Sequence, residues 1–131
     1  MNWISSFELL LIHEKVITET GGNKGVLNFG NLKAAVSRPF TAFGDQEVFP
    51  SLTAKIAAQI HTISSYHPFV DGNKRTALVA ADACLSLNGH RLAASDDLES
   101  FFWSIARGER SVEDIELWVK KQGKPLLPLQ Q

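Results

Sequence analysis

The chain has 131 residues, the size of one domain, and is long enough to bury a hydrophobic core. Its 44% hydrophobic and 21% charged residues are typical of a soluble globular protein, and its formal net charge of −1 argues against direct nucleic-acid binding. The single cysteine, Cys84, excludes an internal disulfide, and its apolar helical surroundings indicate a buried, inert thiol. Without a membrane-length apolar run or a signal-peptide pattern, we expect a cytoplasmic protein with no membrane partner.

The first part of the chain predicts two helices joined by a polar, glycine-rich loop. Ser5 and Glu8 form a capping-box pattern, and apolar residues at helical spacing follow until the glycine pair at 21–22 ends the first helix. After the loop, Asn31 is expected to cap a short second helix that Pro39 terminates.

Residues 40–50 break the helical pattern, because two apolar, β-prone ends flank Gly44 and Asp45. We predict a small hairpin or an irregular flap here. Since phenylalanine is normally buried, we expect the three phenylalanines of the flap to be in the core, the alternative being a contact surface.

Four more helices are predicted after the flap. Helical spacing supports one over 51–66 and another over about 73–87, which ends at a left-handed cap at Asn88–Gly89. N-terminal cap residues at Ser95 and Ser111 open two more. The fold class is therefore all-α, a compact bundle in which two central helices share one turn.

The domain boundary is predicted near the C-terminus. Residues 1–123 are expected to form a single domain. Residues 124–131, which contain two prolines, are expected to be a loosely held tail.

Residues 67–76, His-Pro-Phe-Val-Asp-Gly-Asn-Lys-Arg-Thr, concentrate reactive side chains just before the second central helix. A helix N-terminus attracts anions, because its first amides are unpaired and the helix dipole is positive there. The positive charges of Lys74 and Arg75 are unfavourable at such an end unless an anion is bound. The alternative is that both side chains are simply solvated in the first turn of the helix. The pattern therefore predicts a phosphate site.

The other motif residues each have two interpretations. His67 can accept a proton from a hydroxyl that attacks phosphorus, although a lone histidine is more often structural. Asp71 can cap the following helix, bind Mg²⁺, or do both. Gly72 lets an oxyanion approach the amides, and Asn73 either orients a phosphate or stabilises the turn.

The remaining histidines are expected to be structural. Neither His13 nor His90 has acidic or histidine neighbours at ligand spacing, and His61 lies off-face for a helical metal site shared with His67. The chain also contains no Walker loop and no zinc-type array of cysteines and histidines.

The motif closely resembles the signature of the Fic/Doc family, His-x-Phe-x-Asp/Glu-Gly-Asn-Gly/Lys-Arg, and the layout is similar from about Ser5 to Gln122. The resemblance implies a helical bundle with a flap before the central helix pair. It implies that His67 is the base, that Asp71 binds Mg²⁺, and that the phosphates are bound by Gly72, Asn73 and Arg75. It also implies that the flap aligns a target segment through Phe40, Thr41, Ala42, Phe43, Val48 and Phe49.

Two departures indicate a branch of this family. Lys74 replaces the second glycine of adenylyl-transferring Fic enzymes, and Leu78 replaces their second arginine. Both changes resemble the Doc branch, the toxins of toxin–antitoxin pairs. That resemblance implies an ATP-dependent protein kinase acting on the elongation factor that carries aminoacyl-tRNA, with Lys74 as a further phosphate ligand.

Many Fic enzymes carry their own inhibitory helix with the pattern Ser/Thr-x-x-x-Glu-Gly/Asn. The nearest match here runs from Ser95 to Glu99, but Ser100 occupies the last position, so the pattern fails. We therefore expect an antitoxin protein that acts in trans.

The leading hypothesis is a Doc-like toxin that phosphorylates a Ser/Thr hydroxyl of a translation factor with Mg²⁺ and ATP. One alternative is an adenylyltransferase, which attacks a different phosphate of ATP. A second is a catalytically silent Fic-like binding module, and a third is a helical domain in which Asp71 merely caps a helix.

Overall fold

Residues 1–126 are described by the computed structural model, and helices account for most of them. The helices are α1 (Ser6–Thr20), α2 (Phe29–Ser37), α3 (Leu52–Tyr66), α4 (Asn73–Ser86), α5 (Leu98–Ala106) and α6 (Val112–Gln122), with a 3₁₀ turn at Arg38–Phe40. The strands are β1 (Ala42–Phe43), β2 (Gln46–Glu47), β3 (His90–Leu92) and β4 (Gly123–Pro125), and they pair as β1–β2 and β3–β4. The predicted fold class, a helical bundle with a small flap, is confirmed.

Helix α3 forms the centre of the core, with α2, α4 and α6 packed against it. Its alanines let these neighbours approach closely, and Ile56, Ile60 and Ile63 are fully buried along it. Burial of one such side chain contributes about 1.5–3 kcal/mol. The loop between α3 and α4 is therefore held between two well-packed helices.

Two of the predicted helix starts are confirmed by capping boxes. At α1, the hydroxyl of Ser5 accepts from the Glu8 amide at 3.1 Å while the Glu8 carboxylate accepts from the Ser5 amide at 2.8 Å. Ser111 and Asp114 make the same pair of hydrogen bonds at α6. These ends could be predicted because a cap is encoded within four residues.

The prediction that Asn31 caps α2 is wrong. The cap is Asn28, whose side-chain oxygen accepts from the Asn31 amide at 2.9 Å, so the helix begins earlier and includes Gly30. The Asn31 side chain instead donates to the carbonyl of Tyr66, at the end of α3, at 2.8 Å. Two asparagines three residues apart are equally good caps by type, and this contact with α3 distinguishes them.

Helix α5, in contrast, begins later than predicted. Asp97 is its N-cap and makes no side-chain capping bond, while the Ser95 hydroxyl donates to the Asp97 carboxylate instead of to the helix. Ser95 therefore stabilises the preceding turn and does not open the helix.

The predicted hairpin is present, but its phenylalanines are not buried in the core. Ala42 pairs with Glu47, and Phe43 pairs with Gln46. Phe40 and Phe43 are exposed, the latter by 75%, and Phe49 is half-buried. Strands of two residues cannot cover both faces of a hairpin, so the side chains near its tip remain accessible.

Strands β3 and β4 were not predicted, because segments of three residues carry no measurable periodicity. Leu92 pairs with Gly123 and His90 with Pro125, and the amide of Leu126 donates to the Gly89 carbonyl at 2.9 Å. Lys124 and Pro125, at the start of the predicted tail, belong to this ladder. Residues 127–131 of that tail lie outside the described residues.

Two predictions about the class of protein can be compared with the structure. Cys84 is buried on α4, which confirms the expected burial, and burial raises the pKa of its thiol to about 11, which disfavours the reactive thiolate. Among the described helices, none combines the length and apolar character needed to cross a membrane.

Candidate functional site

The loop between α3 and α4 carries the motif, and the glycine-rich segment after α1 pairs with it. The amide of Val70 donates to the Gly25 carbonyl at 3.0 Å, and the amide of Leu27 donates to the Pro68 carbonyl at 2.7 Å. Val26 and Phe69 form an isolated antiparallel bridge between these two bonds. The segment between α1 and α2, predicted only as a polar loop, therefore fixes the motif backbone.

His67 ends α3 in the left-handed conformation, with φ 49°, and its side chain is exposed. It is the only non-glycine residue of 1–126 with a positive φ. Such backbone angles cost energy for most residue types, and they turn the chain sharply from α3 into the motif loop. The structure thus presents the imidazole of His67 to solvent at the start of the motif.

Phe69 and Asn73 hold the motif loop together. The side-chain amide of Asn73 bonds both backbone groups of Phe69, accepting from its N–H at 3.0 Å and donating to its carbonyl at 2.9 Å. The Asn73 side chain thus stabilises the turn. Its bonds do not use the backbone amide of Asn73, which remains available to an anion. The buried Phe69 ring, the anchor of the loop, stacks on His13 with 3.8 Å between ring centroids.

His13 is structural, as predicted, and it also supports the site. It is buried on α1, and its Nε2–H donates to the backbone carbonyl of Asp71 at 2.8 Å. The imidazole therefore links α1 both to the ring that anchors the motif and to the backbone of the carboxylate residue.

Of the interpretations left open for Asp71, the structure excludes the cap on α4. The N-cap is Gly72, and no side chain makes a capping bond to α4. The Asp71 carboxylate instead accepts from the amides of Gly72 at 2.9 Å and Asn23 at 3.2 Å. The Asn23 amide, followed by the Gly72 amide, lowers the pKa of Asp71 because both bonds favour the charged form. The carboxylate is therefore ionised near neutral pH.

Gly72 is required by two features of the site. Its φ of 75° is in the left-handed region, which favours glycine. A Cβ at this position would lie 2.8 Å from Cδ1 of Ile17, so any other residue would also force the end of that side chain on α1 to shift. With glycine there, the first amides of α4 are uncapped by any side chain of the described residues.

The two cations of the motif have different partners. Arg75 is exposed, and its Nη1 donates to the Thr20 hydroxyl and, at 3.2 Å, to the Gly21 carbonyl. Its other guanidinium N–H groups remain for further acceptors. The Nζ of Lys74 lies 3.9 Å from the centroid of the Trp103 ring on α5.

An open cavity of about 590 Å³ lies between the start of α4 and α5. One wall is polar and consists of the five consecutive residues 71–75, while the other is mainly apolar and includes Leu78, Leu98, Phe102 and Trp103, with the carboxylate of Glu99. The cavity thus gathers the predicted metal and phosphate residues, Asp71, Gly72, Asn73, Lys74 and Arg75. His67 and the flap residues are not part of its lining.

Asp71 fits the ligand set that Mg²⁺ requires. It presents hard oxygen atoms in ionised form, and each oxygen retains lone-pair capacity beyond its one amide bond. Within residues 1–126 no group of three or more acidic, histidine or cysteine side chains forms a metal cage. A Mg²⁺ ion held by one carboxylate, with phosphate and water oxygens as its other ligands, is a common arrangement.

The flap is anchored to the first turn of α3 by Lys55, a lysine that is only 3% exposed. Its ammonium donates to the Glu47 carboxylate at 2.8 Å and to the carbonyls of Pro39 and Phe49, which flank the hairpin. It also lies 5.0 Å from the centroid of the Phe40 ring. Both ends of the flap are thereby held by one buried cation.

Sequence reasoning missed five residues that support the site: Thr20, Gly21, Asn23, Lys55 and Trp103. Each contacts a partner in a different element or loop, so no spacing pattern within one element identifies it. For Lys55 there was one signal, because a lysine among apolar residues on a predicted core helix needs a buried partner.

Comparisons with known proteins find a matching family model and two similar proteins. A family model described as "Fic/DOC family" matches residues 3–85. The protein "Toxin Doc" of Mycolicibacterium smegmatis is 42% identical over 79 residues, which are 60% of this chain and 61% of that protein. "Protein kinase doc" of Escherichia phage P1 is 31% identical over 115 residues, 88% of this chain and 90% of that protein.

Proposed function

This chain belongs to the Fic/Doc family, and we propose from that premise that it is a Doc-like toxin acting as a protein kinase. It transfers the terminal phosphoryl group of Mg-ATP to a Ser/Thr hydroxyl of a target protein. The names of the two relatives, a toxin and a protein kinase, support both parts of the proposal.

The observation that carries the proposal is the N-terminus of α4. Its amides have no side-chain cap, its first turn contains no acidic residue, and Lys74 and Arg75 are placed there. Each of these features is unfavourable for an isolated helix, and each becomes favourable when an anion is bound. The same residues form the polar wall of a cavity of about 590 Å³, large enough for a nucleotide.

The reaction assigns a separate task to each motif residue. The hydroxyl oxygen of the target forms a bond to the terminal phosphorus while the bond from that phosphorus to the bridging oxygen breaks, and ADP leaves. The imidazole of His67 accepts the hydroxyl proton. The amides at the start of α4, with Lys74 and Arg75, bind the phosphate oxygens, and Asp71 holds Mg²⁺. When bound, that ion neutralises charge on the phosphates.

The flap is where the target segment is aligned in this proposal. Its edge residues are accessible, with Phe43 and Val48 exposed on the hairpin. Lys55 fixes the hairpin ends, so a peptide that meets the flap meets an ordered edge.

The target in this proposal is a translation elongation factor, so phosphorylation blocks protein synthesis in the cytoplasm. Lys74 and Leu78, which depart from the adenylyl-transferring pattern, support the kinase branch. An antitoxin protein in trans completes the proposal, supported by the toxin relative and by Ser100, which breaks the internal inhibitory pattern.

The test uses two ATP samples, labelled at the α or the γ phosphate, with purified protein, Mg²⁺ and a bacterial lysate. The proposal predicts labelling of a target protein from γ-labelled ATP alone, and no labelling by His67→Ala. Labelling from α-labelled ATP would instead establish an adenylyltransferase. Mg-ATP binding without any transfer would support a silent binding module.

A further inference from the structure

Trp103 and Lys74 meet across the cavity. Trp103 is 48% exposed on α5, Lys74 is half-buried on α4, and both line the cavity. The ammonium lies 3.9 Å from the centroid of the indole, well within the range of a cation–π contact. Within residues 1–126 Lys74 takes part in no ion pair, so the indole face is the partner of its charge.

The contact with Trp103 restricts a lysine side chain that the helix dipole would otherwise repel. Lysine has a flexible four-carbon stem, and the positive end of the α4 dipole repels its ammonium. Without a partner this side chain would extend into solvent in many rotamers. The indole holds it at the cavity wall, as Thr20 and Gly21 hold the guanidinium of Arg75 on the side facing α1.

We propose that Trp103 is a positioning residue for nucleotide binding, whose indole face pre-places the Lys74 ammonium for a nucleotide phosphate. The inference rests on the proposed function, because it takes the triphosphate of ATP as the anion. Trp103 lies outside residues 3–85, the segment matched by the family model. The contact is thus made by α5, all of which lies outside the family match.

The first test measures Mg-ATP binding by calorimetry. Because ordering a free lysine opposes binding, we expect Trp103→Leu to weaken binding about fivefold. Trp103→Phe keeps an aromatic face and should stay within about twofold of the wild type. Leu117→Ala, which removes an exposed apolar side chain from α6, is the matched control and should bind as the wild type does.

A double-mutant cycle tests whether the effect passes through Lys74. In the Lys74→Met background, Trp103→Leu should cause no additional weakening, because the cation that the indole holds is already absent. A nucleotide-free measurement supports the cycle. In NMR spectra of lysine-labelled protein, ring currents of the indole should shift the ε-methylene protons of Lys74 upfield, and Trp103→Leu should abolish that shift.

Several results would overturn the proposal. These are unchanged or tighter Mg-ATP binding by Trp103→Leu, an equal loss in the Lys74→Met background, or an unshifted Lys74 methylene signal in the wild type. If Lys74→Met binds too weakly for the cycle, the methylene signal decides. Mg-ATP binding without phosphoryl transfer would refute the proposed kinase reaction and leave this inference standing, whereas absence of binding would overturn both.

Discussion

Helices α6 and α4 begin in opposite ways. The start of α6 has a capping box between Ser111 and Asp114, an acidic first turn and two lysines in its last turn, all of which favour the helix. The start of α4 has a left-handed glycine, no side-chain cap and two cations in its first turn. A glycine in place of a capping side chain costs roughly a few tenths of a kcal/mol, and each misplaced charge costs about 0.3–1 kcal/mol. We infer that the start of α4 is less stable than that of α6 because its free amides and cations form the anion site.

The largest expected effect separates catalysis from binding at the α4 end. His67→Ala should reduce phosphoryl transfer by about 10²–10⁴-fold, because it removes the base, while Mg-ATP binding persists. His67 is exposed, so the variant removes no core packing, and circular dichroism checks its fold because alanine is disfavoured at the left-handed φ of this position. Label transfer and calorimetry on the same preparation check both parts. Transfer at the wild-type rate would contradict the assigned role.

The second effect concerns the forked donor at the start of α4. Arg75→Ala should raise the KM for ATP on the order of tenfold to a hundredfold, because charge-assisted bonds to phosphate are lost. Arg75→Lys should fall between this variant and the wild type, since it keeps the charge but not the fork. Steady-state kinetics with varied ATP measures this. The control is Arg107→Ala, which changes a similarly exposed arginine at the C-terminal cap of α5, and an equal change in KM for it would refute the site.

The third prediction addresses the α6 end. Ser111→Ala removes the cap and should lower the free energy of unfolding by about 1 kcal/mol. Phosphoryl transfer should be unchanged at temperatures where the protein is folded, because this helix start lines no part of the cavity. Chemical denaturation followed by circular dichroism gives the first value. Loss of transfer in folded protein would show that the two helix starts are not functionally distinct.

The smallest effect is on acid stability. The Asn23 and Gly72 amides lower the pKa of Asp71, so its carboxylate contributes stability above its ordinary value of 3.8. That contribution is lost as the pH falls through the lowered, folded-state value. Asp71→Asn should therefore be less stable than the wild type near neutral pH, and the difference should shrink below about pH 4. Thermal unfolding across this range measures it, and a constant difference would contradict the assigned hydrogen bonds.

What could be predicted from the sequence depended on the distance between partners. The starts of α1 and α6 and the motif at 67–75 are encoded in consecutive residues, so their existence was accessible. The bond from Asn23 to Asp71 and the contact between Lys74 and Trp103 join segments that only the folded chain brings together. The periodicity of the sequence gives no information on such long-range contacts.

The errors have a similar origin. Asn28 and Asn31 are equivalent caps by type, and the bond from Asn31 to the end of α3 decides between them. Asp71 precedes a helix like a cap, but a loop that follows α1 supplies one of the amides that it binds. For the flap, the buried cation of Lys55 holds the hairpin ends while the tip remains exposed.

The most direct test of the anion site is an NMR titration of ¹⁵N-labelled protein with Mg-ATP. The account predicts that the largest changes in amide chemical shift fall at residues 73–75, the uncapped first amides of α4, and that the capped amides of Ser111 and Asp114 keep their shifts. Saturable binding with the largest changes elsewhere, or no changes at all, would contradict it.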